Sequence, residues 1–204
     1  MDRRVLAIIA VIACEVIFRA GYTVHTFAVS PLTYTLLARL AELALILSLA
    51  FHSCGMKTLS LKKELLIGLG ISFIFGSVII IMDLASRLFI KGGLLKVLLV
   101  RQEVPAPFLF LLTGCIIAPF VEELFFRGLF YSKIRERLPA VVSVMFSALA
   151  FASLHGFLSP VQLTGGILFA VLFEWRRNIW APSIVHMLAN LGIWIVPWIY
   201  PLWT

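Results

Sequence analysis

The stretch LLIGLGISFIFGSVIIIMDLASRLFI, residues 65–90, decides the fold class of this chain. No charged side chain interrupts it before Asp83. A helix needs about 20 mostly apolar residues to cross the hydrocarbon core of a bilayer. The stretch exceeds that length, so it predicts a membrane-spanning helix that is tilted or that ends in a turn at the membrane surface.

The rest of the chain has the same character. Its 204 residues are 62% hydrophobic and 13% charged, whereas soluble domains are about half apolar and about a quarter charged. The apolar runs are continuous, which excludes the alternating strands of a transmembrane barrel. We predict an all-α, polytopic transmembrane helical bundle of about seven helices, with six to eight as the range. The candidate segments are Val5–Phe18, Ala28–Phe51, Leu65–Ile90, Pro107–Phe126, Ala140–Phe157, Val161–Phe173 and Ala181–Tyr200.

The charge pattern predicts the orientation. The chain has 17 Lys and Arg residues against 10 Asp and Glu, but no run of five or six basic residues, so we expect no nucleic-acid partner. If the helices alternate in direction, most basic clusters fall on one side, which we assign to the cytoplasm together with the N-terminus. We expect a multi-pass protein of the inner or plasma membrane. The segment Ile90–Ala106 carries Lys91, Lys96 and Arg101 on the other side, and we interpret it as an amphipathic helix at the membrane surface.

Charged residues inside the predicted helices need an explanation, because an ionisable group in hydrocarbon costs several kcal/mol. For three pairs of charged residues, the explanation is structural. Each pair is three or four residues apart on one helix face, so its two members can neutralise each other. These pairs are Glu15 with Arg19, Arg39 with Glu42, and Asp83 with Arg87.

The last four apolar segments carry a set without this explanation: Glu122, Glu123, His155, His186 and Asn190. Adjacent helical residues point about 100° apart, so Glu122 and Glu123 have different surroundings. Glu123 can pair with Arg127 four residues on, which leaves Glu122 without a cation on its own face. A turn near Leu138 places Glu122 and His155 at similar depth in an antiparallel hairpin. The cost of burying these polar groups in a membrane predicts that they form a functional site. It does not decide whether that site transports protons, binds a metal ion or hydrolyses a substrate.

Three motifs carry a family resemblance. They are Glu122-Glu123-Leu124-Phe125-Phe126-Arg127, then Phe151-Ala152-Ser153-Leu154-His155, then His186-Met187-Leu188-Ala189-Asn190. In this order they resemble the EExxxR, FxxxH and HxxxN or HxxxD pattern of the CPBP family. These CAAX-processing and bacteriocin-processing enzymes, also called Abi, are intramembrane proteases. The resemblance covers roughly residues 105–200, so we predict N-terminal transmembrane helices over 1–104 and a catalytic core over 105–204, joined in one compact membrane domain.

The resemblance implies the hydrolysis of a peptide bond near the C-terminal or membrane-proximal part of a membrane-associated peptide or protein. It implies that Glu122 activates water and that His155 holds or polarises it. His186 and Asn190 would bind the water or stabilise the oxyanion, and Glu123 with Arg127 would brace the site or contact the substrate. The substrates it allows are a prenylated CAAX tail, a secreted peptide precursor and a membrane-anchored sorting tail.

Two questions stay open at this point. Glu122, His155 and His186 could bind zinc with water as the fourth ligand, but a ligating Glu122 could not easily also act as the base, so we favour a metal-independent, glutamic mechanism. The alternative function is a non-enzymatic membrane protein, either a proton-relay carrier or an immunity or scaffold protein, that uses the same buried residues.

Overall fold

The computed structural model describes residues 2–23, 30–57, 61–99, 103–155 and 160–199, and every regular element within them is helical. The eight helices, in chain order, are α1 Arg3–Thr23, α2 Pro31–Ala50, α3 Leu61–Ser86, α4 Gly93–Leu98, α5 Pro107–Arg135, α6 Ala140–Leu154, α7 Pro160–Arg176 and α8 Trp180–Ile199.

The predicted all-α membrane bundle is confirmed. Five of the helices (α1, α2, α3, α5 and α8) are long and apolar enough to cross a membrane. Each of the seven predicted segments overlaps a helix of at least 15 residues. Within the predicted segments, Ala28, Val29, 156–157 and Tyr200 lie outside the described residues. The eighth helix is α4, inside the segment predicted as amphipathic. The division of the chain at residue 104 stays a prediction.

Short polar contacts determine where helices begin. Ser30 caps α2 by accepting the N–H of Thr33 at 3.2 Å, and Pro31 follows at the first helical position, where no N–H is needed. Helix α4 is held against the end of α3: the Leu95 N–H donates to Asp83 Oδ1 at 2.7 Å, and the Leu94 N–H to Ser86 Oγ at 2.7 Å. Asp83 therefore accepts a backbone hydrogen bond from α4 and also pairs with Arg87, its predicted partner.

Several connections meet at one end of the bundle. The Ile179 N–H, between α7 and α8, donates to Gly55 O, between α2 and α3, at 3.0 Å. At the end of α5, Arg135 pairs with Glu174 of α7, and Lys133 pairs with Asp2 at the N-terminus. The basic residues of these segments therefore share one end, as predicted. Their assignment to the cytoplasm stays a prediction.

Helix α5 is irregular. It contains two π-helical segments, Leu111–Ile117 and Leu124–Tyr131, on either side of the α-helical turns Ala118–Glu123. π-Helical segments inside α-helices are frequently found at functional sites. Glu122 and Glu123 lie between the two.

Close packing around α5 depends on glycine. A Cβ on Gly128 would lie 2.3 Å from the Cys54 carbonyl oxygen, and one on Gly166 of α7 would lie 3.1 Å from Ala148 Cα of α6. A side chain at Gly128 would therefore require the backbone at Cys54 to shift, and one at Gly166 would require α6 to yield by a few tenths of an ångström. Small residues at such crossings let membrane helices approach closely.

Candidate active site

The two neighbouring carboxylates of α5 have different surroundings, as their spacing predicted. The Glu123 side chain is fully buried, whereas Glu122 retains 12% exposure. Glu123 Oε1 accepts a hydrogen bond from Arg127 Nη1 at 2.8 Å, which confirms the predicted pair. Glu122 instead lines a cavity. One carboxylate is therefore part of the packed interior, and the other is accessible to a small molecule.

Glu122 lies beside both histidines. Its Oε2 is 3.6 Å from His155 Nε2 and 3.8 Å from His186 Nε2. The hairpin of α5 and α6 thus places Glu122 and His155 at equal depth, as predicted. Both separations exceed a direct hydrogen bond, yet one water oxygen can lie about 2.8 Å from Glu122 and from either ring nitrogen at the same time.

The second nitrogen of each imidazole already has an acceptor. His155 Nδ1 donates to Phe151 O, and His186 Nδ1 donates to Glu123 Oε1, each at 2.9 Å. In the neutral rings these bonds place the proton on Nδ1 and leave a lone pair on Nε2. Two imidazole lone pairs and a carboxylate oxygen therefore converge. Three acceptors need a group that brings hydrogens or positive charge, such as a water molecule or a metal ion.

Aromatic rings fix the orientation of these groups. The Phe169 ring stacks on His186 at a centroid distance of 4.5 Å, and Phe151 meets the same imidazole edge-on at 5.5 Å. The guanidinium of Arg127 lies 4.9 Å from the Phe151 centroid and 5.4 Å from that of Phe169. Arg127 Nη2 also donates to Gly166 O at 3.0 Å. Glu123 thus contacts His186, and Arg127 holds Glu123 from the other side. Whether the two brace the site or contact the substrate, as the resemblance implied, stays a prediction.

Asn190 is placed differently from the rest of the predicted set. It lies one turn beyond His186 on α8, and its Nδ2 donates to Gly114 O of α5 at 2.9 Å. Gly114 precedes Glu122 by two helical turns. The hydrogen bond of Asn190 therefore joins α8 to α5 at a distance from the converging acceptors.

The cavity beside Glu122 has a volume of about 250 Å³ and lies between α1, α2, α5 and α6. Its apolar lining comprises Val11, Ile12, Val16, Val121, Phe125, Phe126 and Leu154. Its polar lining comprises Glu122 and His155 together with Glu15, Arg19, Arg39 and Glu42. The N-terminal helices therefore form one wall of the space that Glu122 faces.

This contribution of the first two helices was not predicted from the sequence. The spacing of Arg39 and Glu42 predicted only that they neutralise each other, and the two do pair. Arg39 also lies 3.5 Å from Glu15 Oε2 of α1, so the pairs combine into one cluster on the cavity wall. The signal was present as two ion pairs on consecutive helices, but their common orientation toward Glu122 depends on how the helices rotate against each other.

The zinc alternative stays a prediction at this site. Glu122, His155 and His186 have suitable donor chemistry for zinc. However, no group of three or more His, Cys, Asp or Glu side chains in the described part of the chain is placed to hold a metal ion.

The C-terminal half of the chain is similar to a known protein family. Residues 104–192 match the Rce1-like family, described as "Type II CAAX prenyl endopeptidase Rce1-like". This segment contains all three motifs and the converging acceptors. Over this segment, the chain is similar to the CPBP family of CAAX proteases. The resemblance found in the motifs is thereby confirmed.

Two curated relatives match just under half of this chain. The "Membrane-embedded CAAX protease MroQ" of Staphylococcus aureus (strain USA300) is 25% identical over 103 residues, which are 47% of this chain and 40% of that protein. The "Putative membrane peptidase YdiL" of Bacillus subtilis (strain 168) is 27% identical over 99 residues, 48% of this chain and 39% of that protein. The matches thus span about two-fifths of each relative's length. No solved structure matches the chain.

Proposed function

We propose that this chain is an intramembrane endopeptidase of the CPBP type, which hydrolyses a peptide bond with a water molecule activated by Glu122. The observation that carries the proposal is the convergence of Glu122 Oε2 with the Nε2 atoms of His155 and His186 beside a cavity. A non-covalent mechanism suits this set, because a carboxylate base and a positioned water need no nucleophilic side chain.

The hydrolytic step follows from the three groups. Water, held by Glu122 and His155 Nε2, loses a proton to the Glu122 carboxylate as its oxygen attacks the peptide carbonyl carbon. The carbonyl oxygen becomes an oxyanion. His186 would stabilise it in the imidazolium form, in which Nδ1–H stays on Glu123 and a second proton, taken up from solvent, makes Nε2 a donor in place of the lone pair of the neutral ring. Glu122 then transfers its proton to the leaving nitrogen, and the C–N bond breaks to give a carboxylic acid and an amine.

The substrate class is a membrane-associated peptide or protein cleaved near its C-terminus or near the membrane, and a prenylated CAAX tail is the first candidate. The family description and the name of the Staphylococcus relative support this choice. The cavity supports it as well, since its mainly apolar lining fits hydrophobic side chains next to the scissile bond.

The test is cleavage of a farnesylated peptide ending in a CAAX sequence, by the full chain reconstituted in liposomes, with the fragments identified by mass spectrometry. We expect Glu122→Gln to abolish cleavage while the helical content and thermal midpoint stay unchanged. Glu136→Gln, on an exposed side chain, is the matched control and should remain active. A well-folded Glu122→Gln protein that cleaves at the normal rate would refute the role of Glu122.

The remaining alternatives are separated by further measurements. Peptide precursors and membrane-anchored sorting tails are the second and third substrates for the same assay. Failure of all three would favour the non-enzymatic carrier, immunity or scaffold function. Metal content of the active protein tests the zinc alternative: one equivalent of metal, lost in His155→Ala, would replace the glutamic mechanism by a metal-dependent one.

A further inference from the structure

Helix α5 lacks one backbone donor close to the proposed active site. In the π-helical segment, the Ala118 N–H donates to Thr113 O, five residues earlier. In the same register, residue 119 would donate to Gly114 O. Residue 119 is proline, which has no N–H, so the Gly114 carbonyl loses its partner within the helix.

Asn190 supplies the missing donor. Its Nδ2 donates to Gly114 O at 2.9 Å, the carbonyl that Pro119 leaves without a backbone partner. A carbonyl without a hydrogen bond is costly inside a membrane, because no water replaces the lost donor. The bond therefore satisfies α5 and ties it to α8 at the same point.

We propose that Asn190 is a positioning residue, which replaces the backbone donor missing at Pro119 and so keeps α5 in the register that points Glu122 at His155 and His186. Glu122 follows Pro119 by three residues, less than one helical turn. His186, which shares α8 with Asn190, contacts Glu123 at 2.9 Å. A change in the relative placement of α5 and α8 would therefore separate the converging acceptors.

This inference rests on the proposed function, and it differs from the oxyanion role that the family resemblance implies for Asn190. The two roles respond differently to a second substitution. If Asn190 acts through Gly114 O, giving residue 119 an N–H should make Asn190 dispensable. If Asn190 contacts the reacting carbonyl, the extra N–H changes nothing.

The experiment is a double-mutant cycle with Asn190→Ala and Pro119→Ala in the full chain. We expect Asn190→Ala to lower kcat by about tenfold or more, because small displacements of reacting groups are costly, with KM changed less than kcat. The thermal midpoint should fall as well. Adding Pro119→Ala should return kcat to within a few-fold of the wild-type value and restore the thermal midpoint. Rescue of kcat, measured per folded molecule, distinguishes positioning from a general loss of fold.

Pro107→Ala is the matched control. Pro107 lies at the first position of α5, where a helix needs no backbone donor, so this change should rescue nothing in Asn190→Ala. If Asn190→Ala stays impaired to the same extent with Pro119→Ala, the positioning role is refuted. The thermal midpoint is measured without substrate. Its fall in Asn190→Ala and its recovery with Pro119→Ala therefore test the hydrogen bond from Asn190 to Gly114 O even if no cleavage activity is found.

Discussion

Two arginine–glutamate pairs accompany Glu122, and they differ in their access to solvent. Arg127 and Glu123 lie within α5, both fully buried, with the guanidinium between aromatic rings. Arg39 and Glu42 lie within α2, where the arginine keeps 20% exposure on the cavity wall. The first pair is part of the packed interior that orients His186. The second lines the cavity that the proposed substrate would enter.

This difference in burial predicts that the two arginines have different roles. A buried charge left without its partner is strongly destabilising, whereas a charge beside a cavity can be solvated when its partner is lost. Arg127 should therefore act mainly on stability and Arg39 mainly on substrate binding. The comparison is informative because both pairs have nearly the same spacing in sequence, three and four residues.

The largest effect is expected from Arg127→Met. It leaves the Glu123 carboxylate buried without its cation, so the free energy of unfolding should fall by about 3–5 kcal/mol. Reversible unfolding in detergent micelles measures this change. Glu42→Gln leaves Arg39 with 20% exposure beside the cavity and with Glu15 as a second partner, so it should lower the same quantity clearly less. Equal losses for Arg127→Met and Glu42→Gln would contradict the proposed difference in roles.

A companion variant separates charge burial from site geometry. Glu123→Leu combined with Arg127→Met removes both charges and should recover much of the lost stability, because apolar replacement of a buried ion pair is often neutral or favourable. Cleavage should remain low, because His186 Nδ1 has lost the carboxylate that fixes its ring.

The next effect concerns Arg39. Replacing it with glutamine should reduce kcat/KM by about tenfold, which corresponds to one charge-assisted hydrogen bond to substrate, through KM more than kcat. Arg87→Gln is the control, because Arg87 pairs with Asp83 just beyond the end of α3 and does not line the cavity. An unchanged KM in Arg39→Gln would mean that the ion-pair cluster on the cavity wall is structural and does not contact the substrate.

A smaller effect should follow from narrowing the cavity. Ile12 and Ile9 are both on α1 with nearly equal exposure, 51% and 52%, but only Ile12 lines the cavity. Ile12→Trp should raise KM by several-fold with little change in kcat, because the larger ring occupies space for substrate. Ile9→Trp should leave both constants unchanged, so similar kinetics for the two variants would argue against substrate entry at this cavity.

Features local to one helix or one hairpin were predictable from the sequence. The length of the run at residues 65–90 predicted α3, and the four-residue spacing of Glu123 and Arg127 predicted their ion pair. Equal distances from the turn near Leu138 predicted that Glu122 and His155 lie at one depth. These features depend on helical geometry and hydropathy, which the sequence carries directly.

Features that depend on helix rotation were not predictable. The contact between His186 and Glu123 joins residues 63 apart. The placement of Arg39 on the cavity wall requires α2 to turn that face toward α5. Apolar side chains surround these helices on most faces, so hydropathy does not specify which face meets a neighbour. The register of α5, and with it the role of Asn190, depends on the π-helical segment before Pro119.

The smallest effect is expected at the end of the bundle, where Glu136 pairs with Arg4 and Lys133. The Lys133 ammonium lowers the pKa of the exposed Glu136 carboxyl. A lowered pKa means that any stabilisation is present above the ordinary glutamate pKa and lost as the pH falls through the lowered value. Solvent and salt screen so exposed a pair. Glu136→Gln should therefore leave kcat/KM and the thermal midpoint unchanged between pH 6 and pH 8, and a clear loss of either would mean that this end of the bundle takes part in the reaction.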